Sequence, residues 1–164
     1  MHPMDNQPRL ILFDIGGVII DLRQSEARSE LELKYLMDPE TLLRLTRSDF
    51  ERPELSVTEK AMIGAIGTEE FLRAFQCGCK GSVPLQDIRR NAESVLGPER
   101  PEMLDLLEQL SGKIPIAAFT NTIELHWTLL MNPKNYRFPK LFRQSSLLTS
   151  WVTQSPGQQH LQKY

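Results

Sequence analysis

The run Leu10-Ile11-Leu12-Phe13-Asp14-Ile15-Gly16-Gly17-Val18-Ile19-Ile20-Asp21 restricts what this chain can fold into more than any other segment. An unbroken apolar stretch of strand length ends on an aspartate, two glycines follow, and a second apolar stretch closes on another aspartate. An apolar run bounded by turn residues reads as a buried strand. In open α/β sheets, ligands bind at the carboxyl ends of the strands, where an acid followed by a glycine turn lets backbone come close to them. An aspartate that ends a strand also satisfies nearby backbone N–H groups, and Gly-Gly is ordinary turn chemistry, so a purely structural role is open at this point.

About a hundred residues on, Ile114-Pro115-Ile116-Ala117-Ala118-Phe119 reads as another short buried strand, and it ends in Thr120-Asn121-Thr122. A hydroxyl and an amide at a strand end, just before a helix, can hold a phosphate together with the helix's free N–H groups. The alternative is that Asn121 or Thr122 simply caps the helix. As a pair, in this order, the two strands present polar groups that can face one site.

Between Asp21 and about Pro98 the pattern is helical. Gln24 to Met37 carries apolar residues in a helical period, and Pro39-Glu40 starts a second helix, with proline first and an acid in the first turn. Val57 to Ile66 suggests another short helix. Thr68 is expected to cap a helix through Glu69, Glu70, Phe71 and Phe75, and Pro84 opens one whose apolar side holds Ile88, Ala92, Val95 and Leu96 until Gly97-Pro98 stops it. The Met and Leu stripes of these helices are expected to be packing faces. Pro101 to Leu110 and Ile123 to Met131 read as helices, Phe138 to Phe142 leads out of the next loop, and Ser145-Ser146-Leu147-Leu148 is a candidate third strand. The resulting order of strand, helical insertion, helix, strand, helix and strand implies an α/β fold with a parallel sheet.

The chain has 164 residues, 40% of them apolar, which suits one core-forming domain. A net charge of −2 offers no electrostatic reason for a nucleic acid or an anionic membrane as partner. Met1 to Pro8 lacks the apolar core of a signal peptide and no run reaches the length of a membrane span, so a cytoplasmic location is expected. Cys77 and Cys79 have no Cys or His pair nearby to complete a zinc site, and a bridge between residues so close would be strained, so both are expected to be reduced. A G-x-G-x-x-G or Gly-Lys-Ser/Thr loop after a strand, as a nucleotide-binding fold would want, is absent.

The motifs around Asp14 and Thr120 resemble those of the haloacid dehalogenase superfamily of aspartyl-nucleophile hydrolases, over roughly residues 9–145. The form Asp-x-Gly-Gly-Val is similar to that of bacterial sugar-phosphate phosphatases and of the phosphatase domain of epoxide hydrolases. The resemblance implies a Rossmann-like core from residues 1–21 and 99–164, and a small helical cap from residues 22–98. It implies that Asp14 is the nucleophile of a Mg2+-dependent phosphatase acting on a small phosphorylated metabolite through an aspartyl-phosphate. Asp14 and the backbone carbonyl of Gly16 would then bind Mg2+, and Thr120 and Asn121 would hold the phosphoryl oxygens. Dehalogenation of small acids on the same fold is disfavoured, because that branch has an aromatic where Gly16 stands.

The chain departs from the family pattern in two places. Gly16 occupies the position of the usual proton-transferring acid, and a glycine transfers no proton, so another group, a water or the substrate must serve. Asp21 is read as a turn or hinge residue in preference to that role. Near the end, Ser155 stands where the family has a lysine, the acids that complete the metal site do not follow, and the ending is glutamine-rich; Lys134, Lys140 and His160 read as surface residues. The expectation is a C-terminally shortened member with an incomplete sheet, a weakened activity and an exposed edge open to self-association. The alternative is a non-catalytic relative that acts by binding.

Overall fold

The structure, a computed structural model, describes residues 10–47 and 54–144. In chain order the elements are β1 (Ile11–Asp14), β2 (Ile20–Leu22), α1 (Gln24–Tyr35), α2 (Pro39–Thr46), α3 (Val57–Met62), α4 (Thr68–Gly78), α5 (Leu85–Ser94), β3 (Leu96–Glu99), α6 (Pro101–Leu110), β4 (Ile116–Phe119), α7 (Glu124–Leu130) and α8 (Phe138–Gln144). The expected strand at Ser145–Leu148, Ser155 and the rest of the glutamine-rich ending lie outside the described residues.

The first and second apolar strands of the sequence pair directly. β1 and β4 run parallel, with Ile11 opposite Ile116 and Asp14 opposite Phe119. A parallel pair needs a long crossover, and here all of the intervening helices fall within it. Among the described residues this sheet has two strands. One face buries Phe13 and Ala118; Leu12 and Phe119, which alternate to the other face, are exposed.

A second ribbon, β2 antiparallel to β3, marks where the chain leaves for the helices and where it returns. The Arg23 N–H donates to the Val95 carbonyl at 2.8 Å, and the Arg100 N–H to the Ile19 carbonyl at 2.8 Å. Asp21, expected in a turn or hinge, lies in β2 and receives the Arg100 guanidinium at 2.7 Å. The helix opened at Pro84 was expected to reach Leu96 and stop at Gly97-Pro98; instead it ends at Ser94, and Leu96–Glu99 is a strand. Cross-strand partners captured the backbone there. Pro98 is tolerated because β3 has one partner only among the described residues. Gly97 is needed because a Cβ there would lie 2.8 Å from the Asp21 carbonyl oxygen.

The helices are started by the residues at their boundaries. Asp38 accepts the Thr41 N–H at 2.9 Å in front of Pro39, the first residue of α2. Ser56 and Glu59 form a capping box on α3, with bonds of 3.2 and 2.9 Å. Glu99 Oε1 accepts the N–H groups of Arg137 and Phe138, at 2.7 Å each, and so holds the start of α8. The expected Thr68 cap is not formed. Gly67 is the cap residue and has no side chain to offer, while Thr68 is already helical.

Two apolar clusters hold the molecule together. One lies among the helices of the insertion and contains Leu31, Leu42, Phe71, Leu72, Phe75 and Ile88, with Met37 and Met62 against it. The other packs β1, β2 and β4 against α6 and α8 through Phe13, Ile15, Ile20, Leu107, Ile116, Phe138 and Phe142. Helix α7 serves both: Ile123 and Leu125 at its start join the first cluster, and Leu130 joins the second. Cys77 is exposed, Cys79 is buried, and both are free thiols. No helix among the described residues is long and apolar enough to cross a membrane.

Candidate active site

Because Asp14 is opposite Phe119, β1 and β4 end at the same level. Ile15-Gly16 and Thr120-Asn121 therefore leave the sheet side by side, about 4.8 Å apart as neighbouring strands are. The Asp14 side chain is exposed and makes no hydrogen bond or ion pair among the described residues. It is not being used to tie down local backbone. The capping role considered for Asn121 and Thr122 is not adopted either, since Ile123 is the cap residue of α7 and no side chain caps that helix. Thr120 and Thr122 are buried, and Asn121 is exposed. Helix α7 has seven residues, so a phosphate at this edge would depend on Thr120 and Asn121 more than on the helix.

The turn after Asp14 is tight. The Ile15 carbonyl accepts the N–H groups of Ile19 and Ile20, at 2.9 and 3.0 Å, and Gly17 N–H donates to the Ile20 carbonyl at 2.8 Å. Gly17 has φ +77°, a conformation that side chains with a Cβ rarely adopt. At Gly16 the limit is space: a Cβ would sit 3.1 Å from Leu22 Cδ1. A side chain at position 16 would thus crowd the end of Leu22, which would have to give by a few tenths of an ångström. The bridge between Gly16 and Ile20 uses the carbonyls of Ile15 and Ile20, which leaves the Gly16 carbonyl outside the ladder.

A cavity of about 430 Å3 opens from this strand edge into the helical insertion. Gly16, Thr120, Asn121 and Thr122 form its sheet end, and Leu31, Leu42, Phe71, Phe75 and Ile88 form its apolar wall. The structure thus brings three of the four expected residues onto one cavity. Asp14, the fourth, is next to Gly16 in the chain but is not among the lining residues. A shallower depression of about 630 Å3, bounded by β3, Leu129 and Tyr136, contains none of them.

Among the described residues three ionisable side chains line the cavity, Arg28, Arg47 and His126, and no carboxylate does. Sequence spacing singled out none of the three. They come from α1, the end of α2 and α7, and meet only through packing. His126 Nε2 is 2.8 Å from the Ala92 carbonyl. A carbonyl only accepts, so the proton sits on Nε2 and the lone pair on Nδ1. Burial holds the ring's pKa below its ordinary 6.5, against the opposing pull of that hydrogen bond, and so favours the neutral imidazole.

Among the described residues the Asp14 carboxylate and the Gly16 carbonyl make no hydrogen bond, and both offer oxygen. Hard oxygen donors suit Mg2+, which keeps several of its own waters. Among the described residues no three His, Cys, Asp or Glu side chains gather as a metal cluster.

A further contact ties the edge to the insertion. Glu124, the first residue of α7, accepts the Thr68 N–H at 3.0 Å and the Thr68 hydroxyl at 2.7 Å, and so caps α4 from outside its own chain segment. These bonds lower its pKa from an ordinary 4.5. Its contribution to stability is therefore full above that ordinary value and lost as the pH falls through the lower folded value. Glu124→Ala is expected to lower stability by about 1 kcal/mol at neutral pH, as the loss of a cap does. In urea titrations the gap between wild type and variant should close in acid; an equal gap in acid would overturn this assignment.

No family model and no curated protein matches this chain. Solved structures do. A HAD family enzyme from Bacteroides thetaiotaomicron, in complex with magnesium and inorganic phosphate, superposes with a TM-score of 0.64 at 21% identity, covering 83% of this chain and 66% of that one. A predicted HAD-like family hydrolase from Porphyromonas gingivalis gives 0.62 at 22% identity, over 79% of this chain and 58% of that one. The chain spans less than two thirds of the length of these neighbours. At such identities the likeness is one of fold: this is an α/β chain with the fold of HAD family enzymes.

Proposed function

We propose that the protein belongs to the haloacid dehalogenase superfamily and hydrolyses small phosphate monoesters through a phosphorylated Asp14. The observation that carries this is the register of β1 and β4, which ends the strand of the exposed Asp14 level with the strand that leads into Thr120 and Asn121, while Gly16, Thr120 and Asn121 line one cavity. The Asp14 carboxylate attacks phosphorus in line, the ester oxygen leaves, and water then cleaves the acyl phosphate to regenerate the carboxylate. Thr120 and Asn121 donate to the phosphoryl oxygens. Asp14 and the Gly16 carbonyl would hold Mg2+, which supplies charge neutralisation at the phosphoryl group when bound.

With glycine at position 16 and Leu22 in the adjacent space, the proton for the leaving oxygen comes from water. That favours esters whose leaving oxygen needs little protonation, such as aryl phosphates. The helical insertion, closed onto α7 by Glu124, acts as the cap that shapes the substrate end of the cavity. The experiment is phosphate release from an aryl phosphate by purified protein, with Mg2+ and with a chelator in its place. Release that requires Mg2+ is expected. A folded protein that releases none at any Mg2+ concentration would overturn the hydrolase reading in favour of a non-catalytic binding protein.

A further inference from the structure

We propose that the substrate carries a second anionic group, seated at Arg28 and Arg47, besides the phosphate it presents to Thr120 and Asn121. This inference deepens the hydrolase reading and rests on it for the assignment of the phosphate end.

The charge balance of the cavity is the starting point. Among the described residues its lining holds two arginines, one histidine and no carboxylate. A cavity with one sign of charge and apolar walls concentrates ligands of the opposite sign. Arg47 makes no ion pair among the described residues, and Arg28 has one loose partner, Glu32, at 3.6 Å through Nε. An exposed i,i+4 pair of that length contributes little, and the rest of the guanidinium fork is left for a ligand.

Position separates these arginines from the phosphoryl end. The residues that leave the strand edge are Gly16, Thr120 and Asn121, all neutral. Arg28 lies in α1 and Arg47 follows the last residue of α2, both in the insertion. Apolar side chains, among them Leu42 and Phe71, make up much of the remaining lining. The complementary ligand is therefore a phosphate monoester with a compact apolar body and a carboxylate or second phosphate. Arginine suits either anion, because its planar fork can bind two oxygens at once.

The test compares 4-carboxyphenyl phosphate with its uncharged counterpart, 4-carbamoylphenyl phosphate, in wild type, Arg28→Gln and Arg47→Gln. The carboxylate is expected to raise kcat/KM by at least about tenfold, the value of one charge-assisted contact. Each glutamine variant should bring the ratio down toward one, with the carbamoyl substrate affected little. Equal rates for the two substrates in wild type would overturn the inference and leave the hydrolase reading intact. Equal losses on both substrates in the variants would also overturn it, since the arginines would then serve the phosphate itself. If neither compound is turned over, the hydrolase reading falls, and calorimetric titration of the same pair decides the inference: tighter binding of the carboxylate that disappears in Arg47→Gln sustains it, and equal binding overturns it.

Discussion

Asp14→Asn is expected to reduce phosphate release by about a thousandfold or more while leaving the fold intact. The first half follows from the proposed role of Asp14 as nucleophile, the second from its surroundings. An amide of the same size is a poor nucleophile toward phosphorus, so the acyl phosphate does not form. The side chain is exposed and carries no hydrogen bond or ion pair among the described residues, so its replacement costs no structural contact. Surface substitutions of this kind usually change stability within about 0.5 kcal/mol. The check is phosphate release together with acid-quenched labelling from a radioactive monoester, where wild type should hold covalent phosphate and the variant none. Retention of activity with an unaltered urea midpoint would remove Asp14 from the chemistry. An equal loss of activity and of stability would make it a structural residue.

Phe138→Ala should be the costliest single truncation in the sheet cluster. The ring is fully buried and meets Phe142 edge-on, with centroids 6.3 Å apart, and Tyr136 at 6.0 Å. Its backbone N–H is also one of the two held by Glu99. Truncating a buried phenylalanine costs about 3–5 kcal/mol in lost burial and an unfilled cavity. A domain is typically stable by only about 5–15 kcal/mol. The variant should therefore unfold at a much lower urea concentration, and its α8 should lose its hold on β4. A midpoint shift worth less than about 1 kcal/mol would mean that the site collapses around the missing ring.

Glu124 has a wider meaning for the fold. It lies four residues after Thr120, and through Thr68 it joins the strand edge to the insertion. Ile123 and Leu125 on either side are buried in the helical cluster. The first turn of α7, next to the residues proposed to hold phosphate, is thus packed and hydrogen-bonded against the insertion.

Much of the fold could be read along the chain because it depends on local rules. An unbroken apolar run ending in Asp14 has to be a strand, and the Asp38-Pro39 and Ser56-x-x-Glu59 signals start helices wherever the rest of the chain goes. The two strand ends, and with them Asp14, Thr120 and Asn121 as neighbours, followed from the order of the motifs. What the chain could not reveal was decided by partners distant in sequence. Leu96–Glu99 continued a helical pattern in isolation and became a strand because it pairs with β2, Ile20 opposite Glu99 and Leu22 opposite Leu96, with Val95 and Arg100 bonded to Arg23 and Ile19 at its two ends. Thr68 looked like a cap, yet the cap of α4 comes from Glu124, 56 positions away.

The same division runs through the site. Residue types and spacing determined which groups could attack or hold a phosphate, because nucleophilicity and hydrogen-bonding capacity are properties of the side chains themselves. Only the tertiary structure decided that Leu22 lies beside Gly16, that His126 carries its proton on Nε2, and that two arginines line a cavity with no carboxylate among the described residues. Steric exclusion, tautomer and local charge balance depend on which atoms are near in space, and in a crossover of this length those neighbours are set by packing.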